Sequence, residues 1–227
     1  MKFKLLALAM LGMAVTVAAC SDDDPATTTR LRAVHLSPDA PNVDILVNGD
    51  QVASDVAYEE NTSYLDIPDG TTEILVQPVG TNVNAINASP DLDANTDYTV
   101  LAANLVAEIE PILLTDDNEA PSSGNVKVRI VHGAPSAPAV DVYVTAPGAD
   151  LATATPTLTN VSFGVASGYL SVPAGNYQVR VTPTGTKDVV IDSGSVALAS
   201  GQIRTVIATD APGGGTPFGA IILADLN

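Results

Sequence analysis

The stretch VHLSPDAPNVDILV, Val34–Val47, returns 97 positions later as VHGAPSAPAVDVYV, Val131–Val144. A His, two prolines and an Asp keep their spacing in both: His35, Pro38, Pro41 and Asp44 against His132, Pro135, Pro138 and Asp141. A repeat of this length has to be settled before any local feature is read. It widens in both directions. Arg32 precedes the first stretch as Arg129 precedes the second, and at an offset of 105 Val56, Tyr64, Leu65, Pro68 and Gly70 match Val161, Tyr169, Leu170, Pro173 and Gly175. Both copies close alike, with ILLTDDN at Ile112–Asn118 and IILADLN at Ile221–Asn227.

These matches divide the body of the chain into a first repeat, residues 30–118, and a second, residues 126–227, joined by a Pro/Ser/Gly-bearing linker at 119–125. Each repeat is long enough to bury a core of its own. Period-two patterning points to strands: Val128, Ile130 and His132 alternate with Arg129 and Val131, and Tyr177, Val179 and Val181 with Gln178, Arg180 and Thr182. Turn signals such as PDG at Pro68–Gly70 and PAG at Pro173–Gly175 cut each repeat into about seven short strands. The predicted fold is all-β, two tandem antiparallel immunoglobulin-like β-sandwich domains.

In this pattern each His shares a face with apolar neighbours, which puts the imidazole at the edge of a core. The prolines then fix an extended crossover into the next strand, and Asp44 or Asp141 holds the imidazole or nearby backbone. One His per repeat is too few for a transition-metal site. The motif is expected to be structural, and no residue is assigned a catalytic role.

At the amino terminus Lys2 and Lys4 precede an apolar run, Leu5–Val17, that ends in VAAC, Val17–Cys20. The run is shorter than the ~18 residues a membrane span needs and reads as a secretory signal. VAAC resembles the bacterial lipobox, and Cys20 is the one cysteine of the chain. Residues 1–19 are therefore expected to be a lipoprotein signal peptide, with Cys20 as the lipidation site. Residues 20–29 then form a polar tether. The membrane is the expected partner through this N-terminal lipid. Ser21 resembles an outer-membrane sorting signal, valid in a bacterium with two membranes; otherwise the outer face of the cytoplasmic membrane is expected.

The run V-H-x-x-P-x-A-P-x-V-D followed by Y-L-x-x-P-x-G, present in both repeats, resembles the bacterial domain of unknown function 4397. That resemblance implies a β-rich, secreted or surface-attached module without an assigned activity, and it supplies no catalytic residues.

The chain has 9 basic and 26 acidic residues, a net charge of -17. Nucleic acid is excluded as a partner, because phosphates require a basic surface. The charge is uneven: residues 21–119 hold 20 acidic and 2 basic residues, and residues 120–227 hold 6 and 5. One acidic stretch in the first repeat, DLDANTD at Asp91–Asp97, places Asp91, Asp93, Asn95 and Asp97 at alternate positions like the start of a calcium loop. Against calcium, Thr96 stands where such a loop needs Gly, and an extended strand separates alternate side chains by ~7 Å. No cofactor is expected, and calcium is the one candidate. Gly213–Gly215 lacks the Lys and Ser/Thr of a phosphate loop and reads as a connection. The expected function is a non-catalytic, lipid-anchored envelope or surface module that binds a protein or polymer through the edges and loops of the acidic first repeat. A structural spacer is the alternative; a calcium-dependent adhesion module or an enzyme stands further off. Oligomeric state has no signal in the sequence.

Overall fold

A computed structural model describes residues 28–225. The expected signal peptide, Cys20 and most of the expected tether lie outside the described residues, while Thr28 and Thr29 already belong to the first strand. The first copy contains β1 (Thr28–Leu36), β2 (Val43–Val47), β3 (Asp50–Val56), β4 (Leu65–Pro68), β5 (Gly70–Thr71), β6 (Ile74–Pro78), β7 (Ile86–Ala88), β8 (Asp91–Leu92), β9 (Asp97–Ala103) and β10 (Glu110–Asp116). The second contains β11 (Asn125–His132), β12 (Val140–Thr145), β13 (Leu158–Val161), β14 (Leu170–Pro173), β15 (Gly175–Pro183), β16 (Ile191–Asp192), β17 (Val196–Leu198), β18 (Ile203–Thr209) and β19 (Gly219–Ala224).

Each copy is a sandwich of two sheets, and the strand orders correspond. In the first copy β10-β9-β1-β4 faces β3-β2-β6-β7; in the second β19-β18-β11-β14 faces β13-β12-β15-β16, with β17 paired to β15. The repeat in sequence is thus a repeat of topology. It departs from a wholly antiparallel sandwich in one pairing per copy, because β1 runs parallel to β9 and β11 parallel to β18. A parallel neighbour requires a long crossover, and the chain from β2 to β8 supplies it by building the second sheet on the way.

The two sandwiches do not hang apart. Leu31, Ala33, Tyr98, Val100 and Ala102 point from β1 and β9 toward Val43, Ile45, Ile74 and Val76 of the first copy's outer sheet. The alternating set on the same strands, Val34, Leu36, Leu101 and Ala103, meets Val131, Ile207 and Leu223 of the second copy. Beyond that, Val128 and Ile130 pack on Val140, Val142 and Val181. The result is four sheets in a stack, in which both inner sheets are covered on both faces. Strands covered on both faces carry apolar residues at successive positions, and all seven residues of β9, DYTVLAA, are buried. The face of Arg129 and Val131, which in a lone sandwich would meet solvent, is the face between the copies.

The approach is close where symmetry breaks. Leu36 of the first copy corresponds to Gly133 of the second, and a Cβ at Gly133 would lie 2.7 Å from Ile207 Cγ2, 2.9 Å from the Ala208 carbonyl and 3.5 Å from Leu36 itself. A side chain at 133 is therefore blocked by β18 of its own copy, and Leu36 packs in ordinary contact over the bare backbone.

Candidate functional site

The duplicated motif has the same geometry twice. His35 is buried, its Nε2–H donating to the Pro41 carbonyl at 3.2 Å and its Nδ1 accepting from Ser37 N–H at 3.4 Å. His132 repeats this with the Pro138 carbonyl at 3.1 Å and Ala134 N–H at 3.3 Å. The backbone N–H at Nδ1 fixes the neutral Nε2–H tautomer, and both ring nitrogens are then occupied by main chain. Tyr58 and Phe163 stand edge-on to the rings, at 6.3 and 6.4 Å. Burial pushes the His35 pKa below its ordinary value, against the smaller opposing effect of the bond to Pro41.

Neither Asp of the motif touches its His. Asp44 accepts from Asp55 N–H at 3.0 Å, and Asp141 accepts from Asn160 N–H at 2.9 Å. Asp55 and Asn160 both have positive φ, 56° and 53°, so each Asp pins the same left-handed kink at the corresponding point of its copy. Asp141 also accepts from Gly185 N–H at 2.9 Å, and these bonds, Gly185 first, hold its carboxyl below the ordinary carboxylate range. Pro135 sits in the β11–β12 loop. Pro38 accepts from Gly213 N–H at 2.7 Å, so the triple-glycine loop of the second copy is a contact onto the motif of the first.

DLDANTD does not converge on a cation. Asp91 pairs with Thr71, whose hydroxyl donates to it. Asp93 offers its backbone N–H to Tyr98 Oη, and Asn95 occupies a left-handed turn. Asp97 turns away into a bidentate clamp on Arg30, 2.6 and 2.7 Å, and accepts from Asn118 at 2.8 Å. Among the described residues no group of three or more His, Cys, Asp or Glu is arranged to hold a metal ion.

The densest polar chemistry lies between the copies and was passed over in the sequence. Arg32 donates to Thr99 and, at 2.7 Å, to Asp225; Thr99 donates to Asp116; Arg129 donates to Asp116 at 2.6 Å and to Thr205; Thr205 donates to Asp225. The circuit closes on itself, crossing from copy to copy at each Arg–Asp pair. Tyr64 and Tyr169 lie under the guanidinium groups of Arg32 and Arg129, at 4.6 and 4.8 Å, and donate to Asp116 and Asp225. All four charged groups are buried. In this ring donors and acceptors answer one another, so no charge is buried without compensation, and loss of any one member would leave its partner unpaired. Its signal was present, since Arg, Tyr and the closing Asp each recur in the repeat.

Where the copies differ is in how their sandwiches are filled. Between the sheets of the second copy lies an apolar cleft of about 350 Å³, whereas the matching interior space of the first is about 10 Å³; the first copy's larger recess, about 680 Å³, lies at the β3/β4 edge and is lined by polar groups such as Glu59, Glu60 and Asn61 beside Val52 and Leu65. Register gives the cause. Tyr98 opposes Leu31 in the first copy and fills its core; the corresponding residue opposite Val128 is Arg204. A guanidinium cannot replace a phenol ring in an apolar layer, and Arg204 turns to donate to the Ile203 carbonyl at 2.7 Å. Leu31, Ile45, Ile67 and Ile74 also become Val128, Val142, Val172 and Val179, while Ala33→Ile130 and Ala53→Leu158 return part of the volume. Val179, Leu198 and Val206 are left half-buried, and Ile222 at the lip is 50% exposed.

Fold and site together define a tandem β-sandwich protein fused face to face, with an apolar cleft between the sheets of the second copy. A family model described as a domain of unknown function, DUF4397, matches residues 29–143 and 144–227, and the chain belongs to that family. The boundary between the two matched regions falls inside β12, out of step with the structural copies. A search of curated proteins finds no match. Among solved structures, the chain is similar to the TIE protein of Bacillus anthracis, at 12% identity and TM-score 0.26 over 81% of this chain and 34% of that one. The chain thus spans about a third of that protein's length. It is also similar to a structure titled for alpha-glucan recognition by family 41 carbohydrate-binding modules from streptococcal virulence factors, at 14% identity and TM-score 0.27 over 80% of this chain and 94% of that one. A leucine-rich repeat protein from Bacteroides thetaiotaomicron matches at 14% identity and TM-score 0.18, over 79% and 25%. At these scores no argument about function follows from the likeness.

Proposed function

We propose that the chain is a non-catalytic, lipid-anchored binding protein of the cell envelope, held to the membrane through Cys20, whose binding element is the second sandwich. The observation that carries this reading is the apolar cleft, present in one copy and closed in its twin. Protein interiors are close-packed as a rule, so an apolar space of this size between two sheets calls for an occupant. The polar groups that stand out, the two motif His and the Arg–Asp circuit, are engaged in hydrogen bonds within the fold, which supports binding over catalysis. The acidic first copy supplies solubility and repulsion from a like-charged envelope. Binding is thus assigned to the neutral copy rather than to the acidic one that the sequence favoured.

The test is site-specific photo-crosslinking in cells, with a photoreactive residue at Ile222, the cleft lip, or at its twin Leu113 on β10. The expected result is a discrete adduct at 222 and none at 113. No adduct at 222, or the same adducts at both positions, would overturn the reading in favour of a structural spacer.

A further inference from the structure

We infer that the cleft of the second sandwich takes a single aliphatic acyl chain, an inference that rests on reading this sandwich as the binding element. The space has the volume of a small-molecule site, within the ~300–1,000 Å³ range of such pockets. At roughly 30 Å³ for a group the size of a water or methylene, its volume corresponds to about a dozen of them. Its walls come from both sheets, Val128 and Val206 on one side, Val179 and Val181 on the other, with Leu198 also in the lining. Packed sheets stand ~10 Å apart, so the gap admits a slender chain and excludes a folded protein surface.

The polar groups at its margin are turned to other partners. Tyr177 donates to the Pro173 carbonyl at 2.8 Å, and Asp192 accepts from Gln178 at 2.7 Å and from Gly194 N–H at 2.9 Å. Thr157 and Ser193 in the lining accept from Val144 N–H and Val179 N–H, and Arg204 donates to the Ile203 carbonyl, so the rest of the wall, chiefly Val, Leu and Ile side chains, sets its character; a sugar would need more hydrogen-bonding side chains than this. An apolar occupant needs nothing more.

Two sources supply such a chain in an envelope: a free or membrane lipid, or this chain's own N-terminal acyl group. The probe is 11-(dansylamino)undecanoic acid, titrated by fluorescence into unlipidated Ser21–Asn227, which contains every described strand. The expected result is saturable binding at one site per chain, displaced by saturated fatty acids whose affinity rises about fourfold per added methylene and levels off near a dozen carbons. Val206→Phe, which fills the cleft, should weaken binding at least tenfold, and Ile222→Asp at the exposed lip should weaken it several-fold without relying on a core change. Leu113→Asp, the twin of the latter, should bind as wild type. In the anchored chain the mass of the adduct at position 222 assigns the source: an intramolecular adduct marks the protein's own acyl group, an added lipid mass a foreign one.

Absence of saturable binding, or affinity independent of chain length and unchanged in Val206→Phe and Ile222→Asp, would overturn the inference. A protein adduct at 222 without fatty-acid binding would overturn the acyl ligand while leaving the binding reading intact.

Discussion

His35 and His132 each give one ring nitrogen to a proline carbonyl and the other to a backbone N–H two residues on, so the prolines are placed as acceptors as well as stiff links. The sequence showed that these residues belong together, since spacing alone marked the motif. It did not show which atoms meet, because Asp44 and Asp141 reach kinks 11 and 19 residues away in the chain rather than the imidazoles. The sign of the pH effect follows from burial. With the His35 pKa held below its ordinary 6.5, the folded state stays neutral where the unfolded chain takes up a proton, so stability falls as pH drops through about 6.5 toward the lower folded value. Urea denaturation at pH 7.5 and 5.5 should show this loss in wild type and less of it in His35→Gln, which should cost roughly 1–3 kcal/mol at the higher pH. Equal losses in both chains would remove His35 from the account of acid sensitivity.

At the scale of the element, the inner strands show what periodicity can and cannot say. Alternation in β11 was legible and the strand was predicted, but a period of two assigns residues to two faces without saying what each face meets. Arg129 on the second face reads as solvated polar surface until the second sheet is seen against it. The closing segments held the missing half, since Asp116 and Asp225 occupy matching places in ILLTDDN and IILADLN. Their partners lie on the opposite copy, 13 and 193 residues away in sequence, beyond any local rule. Removing one side of a buried pair leaves a charge without compensation, so Arg32→Ala and Arg129→Ala should each cost about 3–5 kcal/mol in urea denaturation. A cost under ~1 kcal/mol for both would mean that the circuit does not fasten the copies.

Across the whole molecule, two copies of one topology pack their inner sheets against each other and differ in their cores. The acidic bias of the first copy was plain in the sequence. The divergence between the two cores was not, because the exchange of Tyr98 for Arg204 becomes visible only when strand register aligns the two. Val100 and Val206 hold the same place in the two copies, opposite Ala33 and Ile130, one in a filled core and one on the wall of the cleft. Thermal and urea denaturation of Val100→Phe and Val206→Phe therefore test the central difference most directly. Overpacking should destabilise Val100→Phe by about 1–3 kcal/mol, while Val206→Phe should be neutral or more stable than wild type. Equal destabilisation of the two variants would mean that the second sandwich is packed like the first and that there is no cleft to fill.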